Sequence, residues 1–198
     1  MTETVVAILY PSWWYGDADD FAAEVRSLEE LDPRIRVVVE EYEEGQALRT
    51  LRGSPPYDEA RAEAPPLTDD QAAVFAKMEV ALALDLPFDV GEVAPGLRWV
   101  QGVGAGSAQL QSAGLAEAGI RLTNASGANS IGIAEFALGR LIAEWKHFRE
   151  LDTRQQGHNW DPIFGSELVG LTLGLLGFGA INSAVASRAK AFDMEILA

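Results

Sequence analysis

Two glycines in the last quarter of the chain have the spacing of a loop that can bind phosphate. The apolar run at 171–176 is typical of a buried strand, and a helix-forming stretch follows the glycines. Gly177 permits a tight turn, and Gly179 lets the backbone approach a pyrophosphate at the N-terminus of the helix. The pattern predicts a dinucleotide-binding loop, and the alternative is a plain turn between strand and helix. The candidate cofactor-binding residues are Gly177, Phe178, Gly179, Ala180 and Ile181.

The third small position of such a loop is occupied by Asn182. Glycine or alanine normally stands there because it lets helix and strand pack closely. An asparagine is therefore expected to loosen this packing or to force the helix outward. Whether the loop still binds a cofactor stays open at this point.

A second glycine cluster lies at 102–106, between a predicted strand and a short predicted helix. Successive backbone N–H groups in such a loop can form a nest for a small anion such as a carboxylate. The alternative is a plain turn whose glycines supply positive φ angles. The candidate substrate-binding residues are Val103, Gly104, Ala105 and Gly106.

The other reactive side chains form no recognisable catalytic group. Trp13, Trp14 and Tyr15 follow the first predicted strand and could wall a pocket, although packing in a core or lid is the commoner role of such a cluster. His147 and His158 have no fixed spacing to a carboxylate. We therefore assign no catalytic residue and no metal ligand from the sequence.

Composition restricts the function further. The 198 residues include no cysteine, which excludes disulfides and thiol chemistry and suits a reducing cytoplasm. The N-terminus lacks the features of a signal peptide, and the longest apolar stretch is too short for a bilayer. Residues 1–100 hold 21 acidic against 8 basic side chains, within a net charge of -15 for the chain. Nucleic acid and membrane surfaces are therefore poor partners.

The elements that would position the two glycine loops alternate between strand and helix. Strands are predicted at 5–10, 35–39, 79–84, 98–101 and 120–123, and helices at 17–31 and 109–118. The segment 40–70 is predicted to be a long irregular surface loop because it is rich in proline and charge. The alternation predicts a parallel sheet covered by helices on both faces.

A long apolar helix is predicted after residue 129. Asn129 or Ser130 would cap it, and its apolar stripe extends from Ile133 to Phe148. A stripe this broad is expected to be buried, against the chain or another subunit. A strand at 171–176, a helix at 181–192 and the start of a strand at 195–198 follow.

From Ala94 onward, the order of motifs resembles the D-isomer specific 2-hydroxyacid dehydrogenase family. Residues 94–101 resemble its strand before the substrate loop, and 104–106 resemble the loop whose amides hold the substrate carboxylate. Residues 133–139 resemble the long helix that opens the nucleotide domain and builds the dimer. Trp160 and 167–181 resemble the approach to the cofactor loop. The resemblance covers about half of the chain well, and 1–93 only in layout.

The resemblance implies an α/β fold with a flavodoxin-like substrate lobe at 1–126. An incomplete Rossmann domain, the start of a doubly wound parallel sheet, would follow at 127–198. It also implies an NAD(P)-dependent oxidoreductase that transfers a hydride between the nicotinamide and a small 2-oxo or 2-hydroxy acid. NAD or NADP would be the cofactor, and a homodimer would form through the helix from Ile133 to Phe148.

Two departures from the family pattern affect this interpretation. Ala108 stands where the family usually has aspartate, and Asn182 replaces the last cofactor glycine. The family's ribose-binding acid and its catalytic Arg, Glu and His are expected beyond Ala198, so the chain alone is expected to be inactive. The alternatives are a truncated, non-catalytic remnant that dimerises or binds a small acid, and the first piece of a split gene.

Overall fold

The computed structural model of the protein describes residues 3–11, 14 and 16–198. The chain divides into two compact units, Met1–Ala125 and Ser126–Ala198. Each unit contains a parallel sheet, so the predicted α/β class with parallel strands is confirmed. Among the described residues, no helix is long and apolar enough to cross a membrane.

Five strands form the sheet of the first unit, each built from a short apolar run rich in β-branched residues. They are β1 Thr4–Ile8, β2 Ile35–Val39, β3 Val80–Ala83, β4 Trp99–Gly102 and β5 Arg121–Thr123. All neighbours are parallel, in the order β2-β1-β3-β4-β5. This is the strand order of flavodoxin-like folds.

Helices connect these strands and cover both faces of the sheet. The helices of this unit's described residues are α1 Ala18–Glu30, α2 Gln46–Leu51, α3 Asp58–Glu63, α4 Asp69–Phe75, α5 Val90–Val93 and α6 Ala108–Gln111. Asp17 caps α1, accepting a hydrogen bond from the Asp19 amide at 2.7 Å. The larger apolar core includes Leu9, Phe75 and Val100, and a smaller one joins Ile8 to the apolar side of α1.

The helix expected at 109–118 is shorter in the structure. It ends at Gln111 as α6, and turns follow. Gly114 has a φ of +82°, a conformation that an α-helix does not accommodate. Ala113 and Leu115, within the range predicted as helix, are buried from these turns instead.

The prediction of a surface loop at 40–70 is wrong. This segment contains α2, α3 and the start of α4, and it contributes Tyr42, Leu48 and Ala60 to the buried interior. A helix of six residues makes less than two turns. Its sequence is therefore too short for a helical spacing of apolar residues to distinguish it from a loop. Glu44 and Arg52 are also fully buried, and their charge suggested exposure.

A buried ion pair lies within this segment and connects it to residues that follow β3 and α6. The Arg52 guanidinium pairs with the Glu44 carboxylate, and neither side chain is exposed to solvent. Arg52 also donates to the Ser112 hydroxyl at 2.8 Å and the Leu86 carbonyl at 2.6 Å, and it stacks on Phe88. Burial raises the pKa of the Glu44 carboxyl, and the positive charge of Arg52 opposes that rise.

The second unit pairs one long helix with a small parallel sheet. Its elements are α7 Ser130–Trp145, α8 Phe148–Gln156, β6 Thr172–Gly174, α9 Ala180–Ala189 and β7 Glu195–Leu197. Strands β6 and β7 pair in register from Thr172 opposite Glu195. Helices α7 and α9 pack together, and Ala134, Leu138, Val185 and Ala189 are buried in the same core.

The helix predicted to reach Phe148 ends earlier. His147 adopts a φ of 55°, which interrupts the α-helix, and the unpredicted helix α8 begins at the next residue. The apolar stripe of α7 is also only partly buried within the chain. Ala134 and Leu138 are buried, whereas Ile133, Trp145 and Phe148 remain exposed.

Candidate functional site

The first candidate site is the turn between β6 and α9. Gly177 has a backbone φ of +80°. Residues that carry a side chain rarely adopt this angle, so the position requires glycine. Gly179 occupies the N-cap of α9 with extended backbone, and no side-chain hydrogen bond caps the helix there. A Cβ added to Gly179 would meet nothing within 4 Å. The space in front of this helix end is therefore open.

The N-terminus of α9 presents free hydrogen-bond donors to that space. The backbone N–H groups of Ala180, Ile181 and Asn182 donate to no acceptor among the described residues. The positive end of the helix dipole coincides with these donors, so an anionic group is stabilised there. Three features of this turn fit a phosphate of a dinucleotide: the N-cap without a capping side chain, Gly177 in the left-handed backbone conformation, and the three free backbone N–H groups. Phe178 and Ile181 add exposed apolar surface beside them.

Asn182 makes side-chain hydrogen bonds to the loop, which the expectation of looser packing did not foresee. Its side-chain Nδ2 donates to the Gly177 carbonyl at 2.7 Å and to the Leu176 carbonyl at 3.1 Å. The asparagine therefore ties the first turn of α9 to the loop that precedes it. Helix α9 remains packed on the core through Val185 and Ala189.

The second candidate site is the loop after β4. The Val103 amide donates to the Ala83 carbonyl at 3.1 Å, which anchors the start of the loop to β3. The N–H groups of Gly104, Ala105 and Gly106 donate to no acceptor in the described part of the chain. Of the four residues predicted here, these three therefore have amides available to a carboxylate.

The glycines of this loop do not serve a turn with positive φ. The φ angles of Gly102, Gly104 and Gly106 all lie outside the left-handed region. Gly102 is needed for space, because a Cβ there would lie 2.9 Å from Leu110 Cδ1. Gly104 and Gly106 have no contact closer than 4.0 Å that excludes a side chain. Their bare backbone leaves room for a ligand to approach the amides.

Asn124 and Ala125 hold the carbonyl side of the same loop. The Ala125 amide donates to the Gly104 carbonyl at 3.0 Å, and Asn124 Nδ2 donates to the Ala105 carbonyl at 2.8 Å. Sequence analysis missed Asn124. Its position directly after β5, the neighbour of β4, was the available signal, because parallel neighbouring strands end at the same edge.

Replacing Asn124 with alanine is expected to weaken binding of a small carboxylate at this loop by about fivefold. The variant removes one neutral hydrogen bond that orders the loop, and such a bond contributes about 1 kcal/mol. Titration of the chain with glyoxylate, followed by NMR at the Gly104 and Gly106 amides, measures the effect. Gln46→Ala, an exposed polar change at the start of α2, is the control. Equal affinity of Asn124→Ala and the unmodified chain would contradict the role of Asn124.

The remaining candidate side chains do not join either loop. Trp14 stacks on Tyr10 with ring centroids 6.0 Å apart, which is the packing role, and Trp13 and Tyr15 lie outside the described residues. His147 and His158 are exposed at turns. The described residues contain no group of three or more His, Cys, Asp or Glu side chains that could hold a metal ion.

Comparisons with known proteins identify the family. A family model described as the D-isomer specific 2-hydroxyacid dehydrogenase, NAD binding domain, matches residues 138–198, which include the Gly177–Ile181 loop. The hydroxypyruvate reductase of Thermotoga maritima is 34% identical over 135 residues, which are 66% of this chain and 44% of the relative. The chain belongs to the D-isomer specific 2-hydroxyacid dehydrogenase family. A D-3-phosphoglycerate dehydrogenase of Methanocaldococcus jannaschii is 35% identical over 111 residues, 55% of this chain and 21% of the relative.

Solved structures of dehydrogenases share the fold. A D-lactate dehydrogenase from Treponema pallidum matches 98% of this chain and 52% of its own, with a TM-score of 0.63 and 24% identity. An NAD-dependent formate dehydrogenase from Staphylococcus aureus in complex with NAD matches 98% of this chain and 55% of its own, at a TM-score of 0.62 and 19% identity. The chain thus spans about half the length of these structures and less than half of the curated relatives it matches.

Proposed function

We propose that the chain supplies two anion-binding loops of an NAD-dependent dehydrogenase that acts on a small 2-hydroxy or 2-oxo acid. Free backbone N–H groups in both loops carry this proposal: Gly104–Gly106 would hold the substrate carboxylate, and Ala180–Asn182 would hold the cofactor pyrophosphate. Each loop follows the carboxyl end of a parallel strand, where α/β proteins bind ligands. The nicotinamide, when bound, supplies or accepts the hydride at the 2-carbon.

We propose NAD as the cofactor in preference to NADP. The match of residues 138–198 to an NAD-binding domain supports this choice. Titration of the chain with NADH, followed by quenching of tryptophan fluorescence, tests it, with NADPH as the comparison. Saturable quenching by NADH at lower concentration than by NADPH is the expected result. Absence of saturable binding of NADH would overturn the proposal for the cofactor loop.

We further propose that this chain binds ligands without turning them over. Neither loop offers an acid–base side chain, since 103–106 and 177–181 contain only Gly, Ala, Val, Ile and Phe. Oxidation of NADH by the purified chain in the presence of glyoxylate or pyruvate is the test. A measurable rate would contradict this part of the proposal.

A second proposed role is dimerisation through the apolar side chains at 133–148, on α7 and the start of α8. The exposed apolar side chains of this region carry the proposal: Ile133 is 46% exposed, Phe136 70% and Phe148 48%. An apolar helix face of this kind is typical of an interface between subunits. The small acid and the second copy of the chain are thus the two partners that we propose.

Replacing Phe136 with glutamate is expected to raise the dissociation constant of the dimer at least tenfold. Burying a phenylalanine contributes about 1.5–3 kcal/mol, and a buried unpaired carboxylate adds a further cost. Light scattering over a dilution series of the chain measures this constant. Leu31→Glu, an equally apolar and exposed position at the end of α1, serves as the control. A monodisperse monomer of the unmodified chain would overturn the dimer proposal.

A further inference from the structure

The departure of this chain from the glycine pattern lies at Asn182, the third residue of α9. Its side chain is partly buried and reaches back over the preceding loop. Two hydrogen bonds leave the same Nδ2 atom, to the Gly177 carbonyl at 2.7 Å and the Leu176 carbonyl at 3.1 Å. Both acceptors belong to the segment that connects β6 to the helix. A glycine at this position has no side chain and makes neither bond.

These two bonds fix the orientation of two consecutive peptide planes. In a planar trans peptide, the carbonyl of one residue and the N–H of the next point in opposite directions. When the Leu176 and Gly177 carbonyls turn toward Asn182, the N–H groups of Gly177 and Phe178 turn away from it. Asn182 therefore controls which way the polar groups of the loop face.

The loop is also the part of this site that most needs such a restraint. Gly177 and Gly179 have the widest conformational freedom of any residue type, so ordering them on ligand binding has a high entropic cost. The structure places no side chain within 4 Å of the Cβ position of either glycine. Hydrogen bonds from Asn182 hold this segment before any ligand arrives.

We infer that Asn182 is a positioning residue that preorganises the Gly177–Ile181 loop for a pyrophosphate. This inference rests on the proposed function, because it assumes that a dinucleotide occupies the loop. In this chain, hydrogen bonds from the asparagine restrain the loop. They take the place of the close helix–strand contact that a glycine would permit. The last glycine of the pattern is thus replaced without loss of the phosphate site.

Titration of four forms of the chain with NADH tests the inference. They are the unmodified chain, Asn182→Ala, Asn182→Gly and the control Ser187→Ala, an exposed position on the same helix. Two neutral hydrogen bonds to the loop correspond to a change of about thirtyfold in affinity. We expect the dissociation constant for NADH to rise about thirtyfold in both Asn182 variants and to stay unchanged in Ser187→Ala.

Backbone order parameters from NMR relaxation, measured without ligand, separate positioning from general stability. In Asn182→Ala we expect lower order at Gly177 and Phe178, with unchanged order at Val185 in the middle of α9. NADH binding by Asn182→Gly that equals or exceeds that of the unmodified chain would overturn the inference and leave the proposed function intact. Failure of the unmodified chain to bind NADH would overturn both.

Discussion

Replacing Arg52 with alanine will lower the free energy of unfolding of the chain by about 3–5 kcal/mol. Removal of one member of a buried ion pair leaves the other charge without compensation, and that loss exceeds the value of a surface pair several-fold. Glu44 would remain in the interior with its charge unpaired. Ser112 and the Leu86 carbonyl would lose their guanidinium partner as well.

Urea unfolding followed by circular dichroism measures this loss, with Arg61→Ala as the matched control. Arg61 also pairs with a carboxylate, Asp89, and also stacks on Phe88, but its side chain is 44% exposed. We expect the control to lose less than about 1 kcal/mol. The double variant Glu44→Leu with Arg52→Met removes both charges and is expected to unfold near the unmodified chain. A loss below 1 kcal/mol in Arg52→Ala would contradict the importance of the pair.

Replacing Gly179 with aspartate is expected to weaken NADH binding about a hundredfold and to stabilise the fold slightly. The backbone at this N-cap is extended and has room for a side chain, so aspartate can cap α9 and gain a few tenths of a kcal/mol. The same carboxylate would stand where the pyrophosphate is proposed to bind. Two unit charges about 6 Å apart repel by about 3 kcal/mol at an effective dielectric of 20, which is about a hundredfold in affinity.

Gly179→Asp is expected to lower the affinity for NADH and to raise the stability of the fold, so loss of binding cannot be attributed to unfolding. Fluorescence titration gives the affinity for NADH, and thermal unfolding gives the stability. Gly45→Asp is the control, because Gly45 is also an uncapped, extended N-cap with open space, on α2 in the other unit. We expect Gly45→Asp to bind NADH as the unmodified chain does. Unimpaired binding by Gly179→Asp would show that the helix N-terminus is not the pyrophosphate site.

Local sequence patterns located most strands and both glycine loops. Strand β2 spans the predicted 35–39, because a short β-branched run bounded by turn residues has few alternative structures. The loop at 177–179 could be recognised because its strand, turn and helix are contiguous in the chain. Features of this kind depend on residues that are close in sequence, which is why a single chain reveals them.

The features that escaped prediction depend on partners distant in sequence. Arg52 is buried by Glu44 and by Ser112, which lies sixty residues away, so no periodicity reveals that its charge is internal. Asn124 contacts Ala105 in the loop after β4, nineteen residues before it. Gly165 packs so closely against Lys146, the residue after α7, that a Cβ added to Gly165 would lie 2.6 Å from the Lys146 Cα. These contacts arise only when the chain is folded.

Both candidate loops would recognise their ligands through main-chain N–H groups, which every residue except proline carries. Recognition of this kind constrains conformation far more than side-chain identity. Ala105 and Phe178 are exposed, so the chemistry of these two positions can diverge in evolution while the donors stay in place. Gly177 has no such freedom, since its φ of +80° excludes most replacements. Two proteins that bind through main-chain N–H groups can therefore share a ligand although few of the residues around it are identical.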